Sequence, residues 1–455
     1  MYSTADRAAR GFLFSGILWL VLFMSMGLII AVKQLNPDFF AHMPWLTYGR
    51  VRMVHVNGVL FGWLSMGLIG SMFYIIPRLC RTQLFSSKLA TFTLVCTNIL
   101  IVSMAVTLLA GLTTGIEYGE MIWPLDILVA VIAVTTLYNC VMTVAKRKEN
   151  QLYVSIWYFI GSLIWLPLVY IIGNIPSEWI GGIQQANMNW FYGHNVIGLW
   201  FTTVGIGTIY YLLPILTKAP LYSHRMSMIG FWTIATFYVW NGPHHLVNGP
   251  IPLWLMKAGI VPSLLLIIPV WTVVANVFGT LKGHWHQVRA NNSLKFLVTG
   301  TIFYLITCIQ GPFQALMGPS SVLKFTEWVP GHAHMPLFGA FSSVVFAMIY
   351  YMLEKQHGKI HSRGMQEVHF YFSVVGYLFF GFSMWIAGVI QGFSWIDGEP
   401  FMASINAIKS LNMVRGIGGG FMLLGQIFFA INVWKTVKQQ RISAQDLESD
   451  ASVRV

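Results

Sequence analysis

Charge is scarce in this chain. Asp, Glu, Lys and Arg make up 9% of its 455 residues, against roughly 25% in an average soluble protein. A soluble domain of this size wets its exterior with charge, so the composition excludes one. Negative charge is scarcest: 15 acidic residues stand against 27 Lys and Arg, a formal net charge of +12. The basic surplus falls in short clusters between apolar runs, which excludes a nucleic-acid-binding domain and fits membrane topology. Cysteine is also sparse. Cys80, Cys96, Cys140 and Cys308 include no Cys-x-x-Cys pair, which excludes a zinc ribbon, a redox dithiol, a covalently attached c-type haem and a disulfide framework. All four read as buried apolar thiols. No low-complexity segment, soluble domain or internal repeat is evident.

What the chain does have is apolar length. Hydrophobic residues are 56% of it, and a span needs roughly 20 of them in succession. Twelve runs qualify: 11–32, 54–77, 89–111, 122–145, 153–173, 190–216, 227–247, 254–282, 295–317, 330–354, 369–391 and 413–435. Placing the N-terminus in the cytoplasm puts 20 of the 27 basic residues in inner segments, a positive-inside bias that makes both termini cytoplasmic. The first run is too long for a signal-peptide core and is read as retained. Only helices or closed barrels satisfy their backbone in lipid. The expected fold is therefore all-α: one polytopic twelve-helix membrane domain over residues 1–441, with a polar C-terminal tail at 442–455.

Thirteen histidines are present. His42, His224, His284, His286, His357 and His361 fall in loops, and His369 lies at a span edge. The His284-x-His286 pair beside Lys282 reads as a solvated loop. Six others lie inside spans, where ionisable groups are costly and usually functional. His55, His194, His244, His245, His332 and His334 all sit near the outer ends of their spans, so they share one depth. Neutral imidazole ligates iron and copper, and six at one depth point to a metal cluster. Residues two apart on a helix point about 200° apart, so His332 and His334 face opposite flanks of the tenth span and can serve two metals. His55 and His334 then suit the two axial positions of one haem, and His332 a second haem held from one side. His194 with His244 and His245 makes a three-nitrogen site that suits copper. A haem with a vacant face opposite such a site suits reduction of a diatomic gas.

Five stretches carry a resemblance: Trp190-Phe-Tyr-Gly-His194-Asn, Tyr238-Val-Trp-Asn-Gly-Pro-His244-His245, Gly331-His332-Ala-His334, Arg52-Met-Val-His55 and Glu117-Tyr-Gly-Glu-Met-Ile-Trp-Pro-Leu-Asp126. Together they resemble subunit I of the haem–copper oxidase superfamily, most closely the cbb3-type cytochrome c oxidases, over essentially all twelve spans. The resemblance implies that His55 and His334 hold a low-spin haem b, that His332 is the proximal ligand of a high-spin haem b, and that His194, His244 and His245 bind copper. It implies that Tyr238 is the tyrosine this family links covalently to the ligand matching His194, and that it gives a proton and an electron when the O–O bond breaks. Glu117 and Arg52 match positions associated with a calcium ion and haem propionates. The partners implied are O2 and membrane-anchored c-type cytochrome subunits, in a bacterial inner membrane. Gln310 stands near the proximal histidine where the oxidases often carry a glutamate, a change that alters the high-spin haem's potential or its proton coupling.

The alternative within the superfamily is nitric oxide reductase, with non-haem iron in place of copper. Those enzymes add a glutamate four residues after the first metal histidine, where this chain has Gly198, and they lack the tyrosine matched by Tyr238. The run His332-Ala-His334-Met-Pro-Leu-Phe-Gly is nonetheless reductase-like. Twelve spans alone also fit a transporter without redox function. Protons drawn from the cytoplasm need a polar path across the inner half. The candidates are Tyr210, Ser227, Asn276, Thr301 and Tyr304, leading to Tyr238, although such residues also join helices structurally. Asp126, just after Pro124, reads as a helix cap.

Overall fold

The computed structural model describes residues 3–176 and 178–438, so the tail expected at 442–455 lies outside the described residues. Twelve helical segments follow one another: α1 (Ser3–Leu35), α2 (Tyr48–Leu79), α3 (Ser87–Ala110), α4 (Trp123–Ala145), α5 (Val154–Gly173), α6 (Gly182–Thr217), α7 (His224–Phe237), α8 (Leu253–Leu281), α9 (Asn292–Ala315), α10 (Trp328–His357), α11 (Arg363–Ile396) and α12 (Lys409–Val437). There is no strand among the described residues. All but α7 are long and apolar enough to cross a membrane. The α7 helix runs for 14 residues and continues as two 3₁₀ turns, Tyr238–Trp240 and Gly242–Leu246. The outer part of the span expected at 227–247 is thus irregular, as backbone at membrane depth can be where it lines a cavity.

Three helices form the centre. The most apolar stretches of α2, α6 and α10 are 94%, 94% and 89% buried, while the other spans are 33–50% buried and turn their remaining faces outward. Each central helix carries a π-helical stretch: Gly58–Ser65, Ile197–Thr202 and Met335–Ser342. Each begins within three residues after a histidine, at His55, His194 and His334. Wide turns of this kind are rare and gather at functional sites. Their hydroxyls close the wide ring, Thr202 donating to the Ile197 carbonyl at 2.9 Å and Ser342 to that of Leu337 at 2.8 Å. Indole N–H groups then stitch the three together, Trp63 to Ser342 Oγ at 2.8 Å and Trp200 to Ser65 Oγ at 3.0 Å. Both buried donors are thereby satisfied.

The packing also reveals an internal repeat that the sequence did not. Helices α4, α8 and α12 each carry Asn-x-x-x-Thr near the inner end. In each, the Asn Oδ1 accepts from the backbone N–H of a serine preceding the neighbouring helix: Asn139 from Ser86, Asn276 from Ser223 and Asn432 from Ser362. The threonine one turn on accepts from the residue before that serine: Thr143 from Phe85, Thr280 from Tyr222 and Thr436 from His361. Each serine in turn N-caps α3, α7 or α11. Three four-helix units, α1–α4, α5–α8 and α9–α12, therefore share one construction. Tyr74, Tyr211 and Tyr351, one from each central helix, meet edge-on at 6.2 and 6.4 Å.

Candidate metal centres

His55 on α2 and His334 on α10 face each other with ring centroids 6.1 Å apart and planes within 18°. Two imidazoles on opposite faces of one metal, each bonded at about 2.0–2.1 Å, place their centroids roughly 6 Å apart. The pair therefore fits a six-coordinate haem iron. Both Nδ1 atoms are engaged by carbonyls that can only accept, Phe23 O at 2.7 Å and Pro330 O at 2.7 Å. Nδ1 must carry the hydrogen, which leaves each Nε2 lone pair for a metal. Gly27 on α1 makes room, since a Cβ there would lie 2.6 Å from the His55 ring. Phe380 packs on His334 at 4.6 Å, and the buried Arg415 lies over Phe380 while pairing with Glu327 at 3.1 Å. A cation buried beside this slot was not foreseen.

His194 on α6 and His244 and His245 on the 3₁₀ turn after α7 offer ligand atoms within 4.8 Å of one another, the one such set among the described residues. His194 Nδ1 and His245 Nε2 are 3.0 Å apart. Two nitrogens bound to one ion at about 2.0–2.1 Å are separated by about 3–3.4 Å, so the donors fit a single small ion. His244 is oriented from behind. Ser263 Oγ donates to the Gly259 carbonyl at 2.7 Å and so accepts from His244 Nδ1 at 2.6 Å. Trp190 stacks flat on His245 at 3.9 Å. The His284–His286 pair, expected in a loop, lies at the start of a short helix, Trp285–Ala290, and belongs to no such set among the described residues.

Tyr238 lies on His194, ring centroids 4.7 Å apart and planes within 19°. Gly198 makes that contact possible. A Cβ at 198 would fall 1.8 Å from the Tyr238 ring, so no side chain coexists with Tyr238 in this position. His332 lines the same cavity, which His194, Tyr238, His244 and His245 share with apolar residues including Ile234, Val270 and Phe341. His332 Nδ1 is 3.2 Å from Gln310 Oε1, so its Nε2 too is left for a metal. His332 and His334 thus serve opposite flanks of α10, as their spacing requires.

Glu117 and Arg52 are brought together at 2.7 Å. Beside them Glu120 is buried and accepts from Asn57 Nδ2 at 2.8 Å. Burial raises its carboxyl to about 7, and the Asn57 hydrogen bond offsets only part of the rise.

Tyr210, Ser227, Asn276, Thr301 and Tyr304 are all buried. Ser227 and Thr301 donate to their own helices, at His224 O (2.6 Å) and Leu297 O (2.9 Å). Asn276 departs from its repeat equivalents. Asn139 and Asn432 also donate Nδ2 to the Ser86 and Ser362 carbonyls, whereas Asn276 Nδ2 is buried without a partner, as is the Tyr210 hydroxyl near it. Ser155 and Tyr158 on α5 add two more such hydroxyls, and Tyr158 packs on Tyr210 at 5.8 Å. Sequence reasoning passed over both, because on an outer helix they read as ordinary glue. It also passed over His369, which is buried among Phe296, Phe346 and Phe429 and bonded to Tyr350 and Gln426. Likewise His357, expected in a loop, is buried at the end of α10. Asp126, expected as a helix cap, does not cap α4, whose N-cap is Ile122; it lies within the first turn and accepts from Tyr170 at 2.6 Å.

A bundle with a two-imidazole slot between central helices, and a three-imidazole pocket between α6 and the turn after α7, has the site of a haem- and metal-dependent membrane oxidoreductase. Residues 7–421 match the family model of cytochrome c and quinol oxidase polypeptide I, and the chain belongs to that family, the haem–copper oxidase subunit I expected from its motifs. It is 32% identical to the cbb3-type cytochrome c oxidase subunit CcoN1 of Stutzerimonas stutzeri, over 99% of this chain and 98% of that protein. It is 31% identical to cytochrome c oxidase subunit 1 of Rhodobacter capsulatus, over 94% and 84%. A nitric oxide reductase chain of Stutzerimonas stutzeri is more distant, at 24% over 90% and 91%. A cryo-EM structure of a heme-copper terminal oxidase dimer shares the fold, with a TM-score of 0.82 at 17% identity, covering 100% of this chain and 88% of that one.

Proposed function

We propose that this chain is the catalytic subunit of a cbb3-type terminal oxidase, reducing O2 to water with electrons from c-type cytochrome and coupling the reaction to proton translocation. The observation that carries the reading is Tyr238 lying on His194, in the space Gly198 leaves, within one cavity shared by His244, His245 and His332. The same packing supports the oxidase over nitric oxide reductase, since a glutamate at 198 has no room beside Tyr238.

In this reading His55 and His334 hold the low-spin haem b, His332 the high-spin haem b, and His194, His244 and His245 the copper. Arg52 neutralises propionates and Glu117 contributes to a calcium site. When bound, the haems and copper supply electron transfer and O–O bond cleavage. The chain's own residues do the rest. Hydrogen bonds behind the imidazoles fix their orientation, and apolar walls limit water in the cavity. Tyr238 gives a proton and an electron into the cavity and is reprotonated from the inner side through Tyr210, Asn276 and Tyr304, with Ser227 and Thr301 beside them. Electrons come from membrane-anchored c-type cytochrome subunits in a bacterial inner membrane.

Tyr238→Phe tests the reading. Both haem spectra should persist while oxygen consumption is nearly abolished; consumption at the wild-type rate would refute it.

A further inference from the structure

We propose that the Cys308 thiol is the last proton relay before Tyr238. The direction of transfer rests on the oxygen-reduction reading above; the placement rests on α9 alone. Thr301, Tyr304, Cys308 and Gly311 recur at intervals of three and four, so they form one ridge along α9. Cys308 stands one turn beyond Tyr304 on α9, and both side chains line the cavity. That cavity also holds Tyr238. Gly311 ends the ridge, its missing Cβ 3.9 Å from the His332 ring.

Elimination points the same way. Three hydroxyls lining the cavity already donate to backbone carbonyls: Thr307 to Phe303 at 2.8 Å, Thr202 to Ile197 at 2.9 Å and Ser263 to Gly259 at 2.7 Å. With Thr307 so engaged, Cys308 is the group one turn beyond Tyr304 on α9 that can carry a proton into the cavity of Tyr238. In the transfer, the S–H bond breaks as the Tyr238 oxygen gains its O–H. The sulfur takes the Tyr304 proton in the same step, and donors on the inner side restore Tyr304. One proton moves and no electron enters or leaves the relay.

The test uses the holoenzyme. The S–H stretch absorbs in an otherwise empty infrared window. Cys308→Ala identifies its band among the four thiols, and Tyr304→Phe should shift that band. Cys308→Ala should lower oxygen turnover at least about tenfold with both haem spectra intact, a loss typical of a removed proton-transfer group, and should enlarge the solvent deuterium effect. Cys308→Ser should restore turnover to within about threefold, since its hydroxyl can pass the proton in concert. A Cys308 band indifferent to Tyr304→Phe, or wild-type turnover in Cys308→Ala, would overturn the relay. The two failures separate cleanly. If the wild-type protein consumes no oxygen, the function and the relay both fall; if Tyr238→Phe is inactive while Cys308→Ala is not, only the relay falls.

Discussion

Gln310→Glu places an ionisable acceptor behind His332 without changing its size. Gln310 Oε1 is 3.2 Å from His332 Nδ1. Adding the imidazole ring and a metal–nitrogen bond of about 2.0–2.1 Å sets a carboxylate there about 7 Å from a haem iron on Nε2. At an effective dielectric of about 20, one charge at that distance favours the ferric over the ferrous state by about 2–2.5 kcal/mol. With 1.36 kcal/mol equal to 59 mV for one electron, the high-spin haem potential should fall by about 100 mV. The fall requires the ionised form, so it should be present at high pH and vanish as the carboxyl protonates. Spectropotentiometric titration of wild type and variant across pH reads it directly. A difference below about 20 mV at high pH, too small for a charge at that range, would refute the hydrogen bond or the ligand role of His332.

Three further outcomes follow from the geometry. Gly198→Glu, the residue a nitric oxide reductase carries, must drive the Tyr238 ring off His194, at an overpacking cost of about 1–3 kcal/mol; oxygen consumption should drop to the Tyr238→Phe level, and full consumption would contradict the packing. Asn432→Ala should lower thermal stability by about 1–3 kcal/mol, because the Ser362 backbone groups lose their partners, yet leave turnover intact. Asn276→Ala should lower both, and equal turnover in the two variants would remove Asn276 from the proton route. The Glu120 carboxyl, at about 7 in the fold against an ordinary 4.5, binds its proton more tightly when folded. Its contribution is therefore fully present below pH 4.5 and lost as pH rises through 7, by up to about 3 kcal/mol. Thermal melts of wild type and Glu120→Gln should diverge over that window, and a flat difference would exclude it.

The helices and the six imidazoles were legible in the sequence because both signals are local. Apolar length marks a span, and a histidine inside one is costly enough to stand out. The two-residue offset of His332 and His334 fixed which flank each would serve. What stayed hidden depended on neighbours distant in the chain. The threefold Asn-x-x-x-Thr lock is five characters of pattern in a divergent background, and only its bonds to Ser86, Ser223 and Ser362 mark it as a repeat. The same bonds give Asn276 a helix-joining duty, which its polarity had left open beside a place on the proton path. Cys308 reads as an inert thiol because nothing in its own segment places it on the wall of the cavity that holds Tyr238, although its spacing from Tyr304 was available. Gly198 carried meaning as an absent glutamate; that Tyr238 fills the space needed the fold. The irregular end of α7 reads as span because Gly242-Pro243 interrupts the helix without interrupting the apolar run.

Metal content tests the central claim most directly. Elemental analysis of the purified protein, set against haem from a pyridine haemochrome assay, should give one copper for every two haems and no iron beyond the haem iron. A third iron with copper absent would contradict the oxidase and turn the site toward nitric oxide, and a protein without haem would remove the role given to the six histidines.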